Sequence, residues 1–315
     1  MPTTERDGED DLRGKIGVEF VAVTQQHAQQ NSNAHNKTAI RTTKQQHAQQ
    51  NSNTHDGTEK IQDKAIKDME KEQRRAIIMG ATSGIGLEVA KVLAGKGWLV
   101  GIAGRRQELL QQIQRKHLNI VATEQIDVTR EDAVERLETL IGKTGGMDLY
   151  FHSSGIGYQN TELDMELELA TVETNAVGMT RMVGKAFHYF EEHPEQKGQI
   201  AVISSIAGTK GLGAAPAYSA TKRFVNHYLE CLTQLCHIRH INHISIHDIR
   251  PGFVRTPLIS GSNYPMQLDA AKVAKQIVKG LERGRSIITI DWRYHLLVFF
   301  WRLIPRWLWV RMRIV

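Results

Sequence analysis

The sequence contains little cysteine. Only Cys231 and Cys236 occur among 315 residues, and five positions apart on a helix they point in different directions, so a disulfide between them is not expected. Such sparse cysteine is typical of a reducing compartment. The N-terminus is polar and acidic and lacks the basic start and apolar run of a secretory signal. These absences predict a cytoplasmic protein.

A strong charge imbalance is also missing. The formal charge is only +6, and no recognition helix, zinc-finger spacing or RNA-binding aromatic motif accompanies it, so we expect an anionic small ligand and no nucleic acid. Four histidines, His237, His240, His243 and His247, lack a carboxylate or cysteine at a suitable spacing. We interpret them as surface histidines and predict no metal site.

Residues 1–68 differ in composition from the rest of the chain. The polar segment Gln25–Asn33 recurs almost unchanged as Gln45–Asn53, and such a segment buries too little apolar surface to offset the entropy of ordering. The sequence therefore predicts a disordered tail over 1–68. A further hypothesis is that Met69 is the natural start and that the upstream residues are an extension.

Residues 69–291 alternate short apolar runs with longer amphipathic stretches, and 41% of the whole chain is hydrophobic, enough for a large core. This alternation predicts parallel strands joined by right-handed helical crossovers, an α/β Rossmann-type doubly wound sheet in a single domain. Seven strands are predicted: Ala76–Gly80, Leu99–Ala103, Ile120–Ile126, Asp148–His152, Gln199–Ser204, His243–Asp248 and Ser286–Ile290. Helices are predicted at Leu87–Lys96, Arg130–Lys143, Glu166–Glu192, Ala217–His237 and Leu268–Glu282.

A glycine-rich loop, Gly80-Ala81-Thr82-Ser83-Gly84-Ile85-Gly86, follows the first predicted strand and opens the first helix. Its glycines permit a tight turn and let backbone N–H groups approach a pyrophosphate at the positive end of the helix. Glycine spacing alone is weak evidence, but the strand–turn–helix context is the one that dinucleotide binding requires.

The end of the second strand discriminates between nicotinamide cofactors. An NAD enzyme would place a carboxylate there, whereas this chain has Arg105 and Arg106, whose charge and planar donors suit a 2′-phosphate. Ser83 can add a hydroxyl contact. We therefore predict NADP rather than NAD, the alternative being that both arginines only begin a solvated helix. Asp127, at the end of the third strand, can accept from an adenine amino group or cap the next helix.

Tyr218 and Lys222 lie four residues apart and share one face of a predicted helix. An ammonium held near a phenol favours the phenolate and lowers a pKa that starts near ~10. This pair can therefore act as a proton donor and acceptor near neutral pH. This spacing alone is common on solvated helices, so the other motifs are needed to support a catalytic role for the pair.

With these motifs in order, the chain from about residue 74 to 291 resembles the classical short-chain dehydrogenase/reductase family. The resemblance is carried by the glycine loop, Asp127-Val128, Asn175, Ser204-Ser205-Ile206-Ala207-Gly208, Tyr218-x3-Lys222, and Pro251-Gly252 with Thr256. It implies cofactor contacts from Gly80, Thr82, Ser83, Gly84, Ile85, Gly86, Arg105, Arg106, Asp127, Val128, Ser154, Gly155, Tyr218, Lys222, Pro251, Gly252, Val254 and Thr256.

The resemblance also implies catalytic roles. Tyr218 is expected to be the general acid/base, Ser205 to hydrogen-bond the substrate oxygen, and Lys222 to bind the nicotinamide ribose. Asn175 is expected to hold a water in a proton relay. Ser204 is a near alternative to Ser205, but strand alternation directs it to the opposite face.

Two positions depart from the family pattern. Met79 replaces the usual threonine before the first glycine, and His152-Ser153-Ser154-Gly155 replaces Asn-Asn-Ala-Gly after the fourth strand. Imidazole and hydroxyl groups still form hydrogen bonds, so we expect the fold to hold.

Together these features predict an NADP-dependent oxidoreductase that interconverts a carbonyl and an alcohol. A lipophilic substrate is predicted from the apolar residues expected around its pocket, Leu212, Leu258, Ile259, Tyr264 and Met266. The alternatives are an isomerase or dehydratase on the same fold, and a non-catalytic dinucleotide-sensing protein. By the family resemblance we expect a homodimer or homotetramer.

The C-terminal segment, residues 292–315, mixes tryptophan, leucine, phenylalanine and arginine. Its apolar run is far shorter than the ~20 residues that span a bilayer, and arginines interrupt it. The composition suits an interfacial amphipathic helix, so the sequence predicts peripheral contact with the inner face of a membrane through residues 294–315. A dimer contact and a lid over the substrate pocket are the alternatives.

Overall fold

The computed structural model describes residues 73–259 and 266–313. The tail predicted over 1–68 and the proposed start at Met69 lie outside the described residues. Among the helices that are described, none is long and apolar enough to cross a membrane.

A parallel sheet of seven strands forms the centre of the fold, in the order β3-β2-β1-β4-β5-β6-β9. Its strands are β1 (Arg75–Met79), β2 (Leu99–Gly104), β3 (Ile120–Gln125), β4 (Leu149–His152), β5 (Gly198–Ile203), β6 (Ile244–Pro251) and β9 (Ile287–Ile290). All seven predicted strands and the doubly wound architecture are confirmed. The strand order reverses between β1 and β4, which is where open α/β sheets bind their ligands.

Helices cover both faces of the sheet. They are α1 (Gly84–Gly95), α2 (Gln107–Lys116), α3 (Ala133–Thr144), α4 (Met165–Val172), α5 (Met179–Glu192), α6 (Pro216–Ile238), α7 (Ala270–Glu282), α8 (Trp292–Leu303) and α9 (Arg306–Trp309). Side chains along β1 alternate between two cores: Ile78 packs with α1 and α7, and Ile77 packs with α3 and α5.

Three predicted helices differ in detail. The helix predicted over Glu166–Glu192 is interrupted by a π-helical turn, Glu173–Gly178. The helix predicted from Leu268 begins at Ala270, because Leu268–Asp269 forms strand β8, which pairs with β7 (Val254–Arg255), and the Asp269 side chain caps the helix. The helix predicted from Arg130 begins at Ala133, after a turn that Asp127 stabilises by accepting from the backbone and hydroxyl of Thr129.

Candidate active site

The glycine loop occupies the carboxyl end of β1 and touches the turn that follows β4. Gly80 has φ +84°, and a Cβ on it would lie 2.6 Å from the backbone nitrogen of Ser154. A side chain at Gly86 would collide with the carbonyl oxygen of Gly80. Both positions therefore require glycine, and they leave a bare backbone cradle at the start of α1.

The N-terminus of α1 is open to an anion. Ser83 is its N-cap residue but makes no capping hydrogen bond with its side chain, and the first turn contains no acidic residue. The first backbone N–H groups of the helix and its positive dipole end thus face the loop without a side-chain partner of opposite charge. This cradle fits the pyrophosphate of a dinucleotide.

Arg106 joins the end of β2 to the glycine loop. Its Nη2 donates to Thr82 Oγ1 at 2.6 Å and to Ser83 Oγ at 3.0 Å, and its Nε donates to Thr82 Oγ1 at 3.2 Å. Arg105 is exposed, and its backbone carbonyl accepts from Gln125 Nε2 at 3.0 Å. The two arginines, equivalent in the sequence, are therefore distinct: the Arg106 side chain contacts both hydroxyls of the glycine loop, whereas Arg105 contributes its backbone carbonyl to a bond with Gln125.

Asp127 and Val128 follow β3 on the same side of the sheet. Asp127 is partly buried and its carboxylate is held by Thr129, which leaves a second carboxylate oxygen for another donor. Val128 is buried, and its carbonyl accepts from Arg181 Nη1 at 2.7 Å. These contacts fix the segment beside the π-helical turn, where Gly178 packs against Val128.

The turn after β4 adjoins the predicted catalytic residues. A Cβ on Gly155 would lie 3.2 Å from Asn175 Oδ1 and 3.5 Å from Lys222 Nζ. Asn175 is 2% exposed; its Oδ1 accepts from the backbone of Ile156 at 2.9 Å and its Nδ2 donates to the Ile156 carbonyl at 2.7 Å. The side chain thus fastens the π-helical turn to this loop, and π-helical turns occur frequently at functional sites.

Lys222 is buried behind Tyr218 on α6. Its Nζ lies 5.6 Å from the centre of the Tyr218 ring and donates to the Ile203 carbonyl at 3.0 Å. Burial lowers the pKa of Lys222 from 10.5 to about 8, while the Asp248 carboxylate acts in the opposite direction. Since that value is above 7, the ammonium form predominates at neutral pH.

Tyr218 is partly buried and packs against the chain that leaves β4. Gly157 lies so close to the Tyr218 ring that any side chain there would collide with it. The next residue, Ser219, forms hydrogen bonds with the 206–215 loop. Its Oγ donates to the Ala207 carbonyl at 2.9 Å and accepts from the Leu212 backbone N–H at 3.1 Å. Ser219 therefore holds this loop against α6. Sequence reasoning missed this role, which depends on contacts 7 and 12 residues away.

The two serines after β5 point in different directions, as strand alternation predicts. Ser204 Oγ donates to the Asp248 carboxylate and lies 3.0 Å from the Ile249 carbonyl, so it belongs to a buried network inside the sheet. Ser205 caps the following turn, and its Oγ accepts from the Ala207 backbone at 3.1 Å. The Ser205 hydroxyl keeps its own proton to donate to a ligand.

The segment after β6 returns to the glycine loop. A Cβ on Gly84 would lie 3.2 Å from Thr256 Cγ2, which brings Thr256 beside the cradle. Any side chain at Gly252 would collide with the ring of Tyr294, so α8 packs directly beneath Pro251-Gly252. Val254 is buried in β7 and Ile85 packs on the same core. Of these predicted cofactor contacts, Thr256 therefore lies beside the glycine loop, and Gly252 lies against α8.

His152 is a residue of the site that the sequence identified only as a departure from the family pattern. It is 1% exposed, and its Nδ1 lies 2.9 Å from the Tyr150 hydroxyl, while its buried Nε2 has no hydrogen-bond partner. Burial, and then the nearby Lys222 ammonium, lower the pKa of His152 to about 3. The imidazole is therefore neutral at physiological pH. Strand pairing is intact at this position, so the expectation that the fold holds is confirmed.

The interpretation of the histidine series is wrong at one position. His247 is 1% exposed and its Nδ1 bonds to the Arg285 carbonyl at 2.8 Å, because β6 is an interior strand with both faces covered. Within residues 73–259 and 266–313, no group of three or more histidines, cysteines or carboxylates is arranged to hold a metal ion.

An open groove of about 520 Å³ lies on the other side of α6 from Tyr218. Its helical wall consists of Pro216, Ser219, Ala220 and Arg223, one helix face that excludes both Tyr218 and Lys222. Residues 208–213 form the opposite wall. The groove therefore lies between the 206–215 loop and the face of α6 that does not carry Tyr218 and Lys222.

Comparison with known proteins agrees with this geometry. The family model described as short chain dehydrogenase matches residues 74–266. The chain is 30% identical over 233 residues to an uncharacterized oxidoreductase of Myxococcus xanthus, an alignment that covers 71% of this chain and 90% of that protein.

Solved structures share the fold. A variant of actinorhodin polyketide ketoreductase with NADPH superposes with a TM-score of 0.61 at 24% identity, covering 70% of this chain and 96% of the ketoreductase. A short-chain dehydrogenase/reductase from Burkholderia phymatum in complex with NAD superposes with a TM-score of 0.64 at 18% identity, covering 72% and 92%.

Proposed function

The chain belongs to the short-chain dehydrogenase family of NAD(P)-dependent oxidoreductases, and from that premise we propose that it is an NADP-dependent enzyme that interconverts a lipophilic carbonyl compound and its alcohol. The observation that carries the proposal is the position of Lys222. Its buried ammonium stands behind Tyr218 and beside Asn175, at the turn that touches the glycine cradle.

Tyr218 and Ser205 act on the substrate oxygen. The chemistry that a bound nicotinamide supplies is hydride transfer to the carbonyl carbon. In the reductive direction the Tyr218 hydroxyl gives its proton to the carbonyl oxygen, while Ser205 donates a hydrogen bond to the same oxygen as charge develops. The 206–215 loop, which follows Ser205 and leads to Tyr218, is held against α6 by Ser219.

Lys222 and Asn175 support the proton transfer. The Lys222 ammonium favours the phenolate form of Tyr218 and so eases its cycle between acid and base. It also has the position and charge to hold the ribose hydroxyls of the cofactor. Asn175 keeps the loop that begins at Ile156 against the π-helical turn, next to the Lys222 ammonium, where a water relay can restore the proton.

The preference for NADP is supported by Arg106. Its guanidinium already lies within hydrogen-bond distance of Thr82 and Ser83 at the mouth of the cradle, so a 2′-phosphate there would meet one charged and two hydroxyl donors. No carboxylate stands at the end of β2, where an NAD enzyme would use one to accept from the ribose hydroxyls.

We also propose that the protein forms a homodimer or homotetramer and that it contacts a membrane peripherally. Residues with large exposed apolar side chains follow the helical spacing of α4 and the π-helical turn, which supports a homodimer or homotetramer built on that face; they are Met165, Leu169, Val172 and Val177. The C-terminal segment supports peripheral contact with a membrane, because its helices expose aromatic and basic side chains.

Oxidation of NADPH with a panel of ketones, aldehydes and quinones tests the proposal. We expect reduction of at least one lipophilic ketone and a preference for NADPH over NADH. Conversion of a hydroxylated substrate without net oxidation of cofactor would instead identify an isomerase or dehydratase. NADPH binding without turnover of any carbonyl compound would contradict the proposal and favour a sensor.

A further inference from the structure

Helix α8 is apolar on both of its sides. Its inner side, Tyr294, Leu297, Val298 and Trp301, packs on the core. Its outer side is exposed and consists of Trp292, Leu296, Phe299, Phe300 and Leu303, whose spacing places them within an arc of about 100°. A helix with two apolar sides is normally covered on both, so the outer side is unusual for a surface left to water.

Large apolar side chains are also exposed on α9 and directly after it. Trp292 is 69% exposed, Phe300 61% and Trp307 64%, and Val310 follows at 65%. With Phe299, the aromatic side chains alone present roughly 500 Å² of apolar area, about the size of the largest patch on a typical monomer. We call the seven side chains Trp292, Leu296, Phe299, Phe300, Leu303, Trp307 and Val310 the outer C-terminal surface.

Positive charge accompanies the C-terminal half of this surface. Arg302, Arg306, Arg311 and Arg313 are all exposed, and no acidic residue occurs between residues 292 and 315. Arg311 lies over the Trp307 ring, 6.0 Å from its centre, so an arginine and an aromatic side chain of the surface are directly paired. Aromatic and basic side chains intermixed in this way are typical of segments that lie in the headgroup region of a bilayer.

We propose that the outer C-terminal surface is a docking face for a bilayer that contains anionic phospholipid. The arginines attract the lipid phosphates while the aromatic side chains enter the boundary between headgroups and acyl chains. Helix α8, with 12 residues, is about 18 Å long and lies along the bilayer rather than across it.

A second copy of the chain fits this surface less well. A two-fold dimer would bring the same patch of both subunits together, and so place arginines against arginines with no acidic side chain from residues 292–315 to neutralise them. An anionic lipid surface supplies the missing negative charge. Electrostatic complementarity therefore favours lipid over self-association.

Helices α8 and α9, with Ile304 between them, also form hydrogen bonds with residues 209–211. Trp301 Nε1 donates to Thr209 Oγ1 at 2.9 Å, Lys210 Nζ donates to the Ile304 carbonyl at 2.6 Å, and Trp309 Nε1 donates to the Gly211 carbonyl at 2.7 Å. Residues 209–211 belong to the loop between Ser205 and Tyr218. The loop contacts the inner side of these helices, so docking of their outer side places it one helix diameter, about 10 Å, from the lipid surface, where a lipophilic substrate would be concentrated.

Vesicle sedimentation with the full chain tests the docking face. We expect the protein to pellet with vesicles of phosphatidylcholine mixed with phosphatidylglycerol, to remain in the supernatant with phosphatidylcholine alone, and to be released by added NaCl. Failure to pellet with the anionic vesicles would overturn the proposal.

Matched variants locate the face. Arg302→Glu with Arg306→Glu should weaken partitioning at least about 30-fold, since each basic residue near an anionic surface contributes a factor of roughly 5. Arg115→Glu with Lys116→Glu makes the same charge change on α2 and should leave partitioning unchanged. Phe299→Ser with Phe300→Ser should likewise weaken binding, whereas Leu118→Ser with Ile238→Ser, exposed apolar positions elsewhere, should not. Equal binding by the C-terminal variants and their controls would overturn the assignment.

Two further measurements separate the alternatives. If the C-terminal variants change the molar mass in sedimentation equilibrium without lipid, the surface is a protein interface and the proposal is wrong.

The link to substrate rests on the proposed reductase function: anionic vesicles should lower KM for a long-chain ketone and leave KM for a water-soluble ketone unchanged. An unchanged KM for both would contradict the link. Vesicle binding with no ketone reduction would contradict the proposed function and leave the docking face intact.

Discussion

Replacement of Arg106 by alanine should change the choice between nicotinamide cofactors. The guanidinium reaches Thr82 Oγ1 at 2.6 Å and Ser83 Oγ at 3.0 Å, so it is oriented toward the glycine loop before any ligand binds. A charge-assisted hydrogen bond contributes about 1.5–3 kcal/mol, so loss of the contact to a 2′-phosphate should weaken NADPH binding about 10- to 150-fold. NADH has no 2′-phosphate, so its affinity should change little.

Isothermal titration calorimetry with both cofactors measures the effect as the ratio of the two dissociation constants. Arg115→Ala, which removes an exposed arginine from α2, is the matched control and should leave the ratio unchanged. An Arg106→Ala protein that keeps the ratio of the unsubstituted chain would refute the assignment. A shift on Arg105→Ala alone would show that the other arginine reads the phosphate.

Three other predictions concern the cradle, the buried lysine and the buried histidine. Gly80→Ala should lower the free energy of unfolding in urea by more than Gly97→Ala does, because both glycines have positive φ but only a Cβ at Gly80 meets backbone, 2.6 Å from Ser154 N. Equal decreases in the free energy of unfolding, each about 1–2 kcal/mol, would show that the close approach has no cost. The pKa of Lys222 is about 8 and the proposed reaction needs its ammonium form, so kcat/KM for ketone reduction should fall as the pH rises above about 8. Lys222→Met should lower kcat/KM by about 10²- to 10⁴-fold at pH 7. A flat pH profile and a small decrease in kcat/KM would contradict the role of the ammonium. The pKa of His152 is about 3 in the folded chain and near 6.5 in the unfolded chain, so the unfolded state binds more protons between those two pH values. As the pH is lowered below about 6.5, the free energy of unfolding should therefore decrease by up to ~1.4 kcal/mol per pH unit. His152→Asn should reduce that slope, whereas identical slopes would contradict the burial of a neutral imidazole.

The strands and the ligand-binding edge were predictable because their signals are local. Short apolar runs between amphipathic stretches identified all seven strands of the sheet, and the glycine loop after β1 was recognisable from its own residues. The choice of Ser205 over Ser204 also followed from strand alternation, and the Ser204 contact with Asp248 agrees with it.

Features that depend on distant partners were not predictable. The π-helical turn within the helix expected over Glu166–Glu192 is held by bonds between Asn175 and Ile156, which are 19 residues apart. The distinction between Arg105 and Arg106 depends on the direction of each side chain at the start of α2. The clasp between Trp309 and Gly211 joins residues 98 positions apart, which no local pattern encodes.

Transfer of deuterium from the cofactor to a substrate tests the central claim most directly. With NADPH deuterated at the reactive carbon of its nicotinamide and a lipophilic ketone, mass spectrometry should find deuterium on the carbinol carbon of the product, and Tyr218→Phe should bind NADPH yet form at least about 100-fold less product. A Tyr218→Phe protein that forms labelled alcohol at the rate of the unsubstituted chain, or an unsubstituted chain that binds NADPH and labels no carbonyl compound, would contradict it.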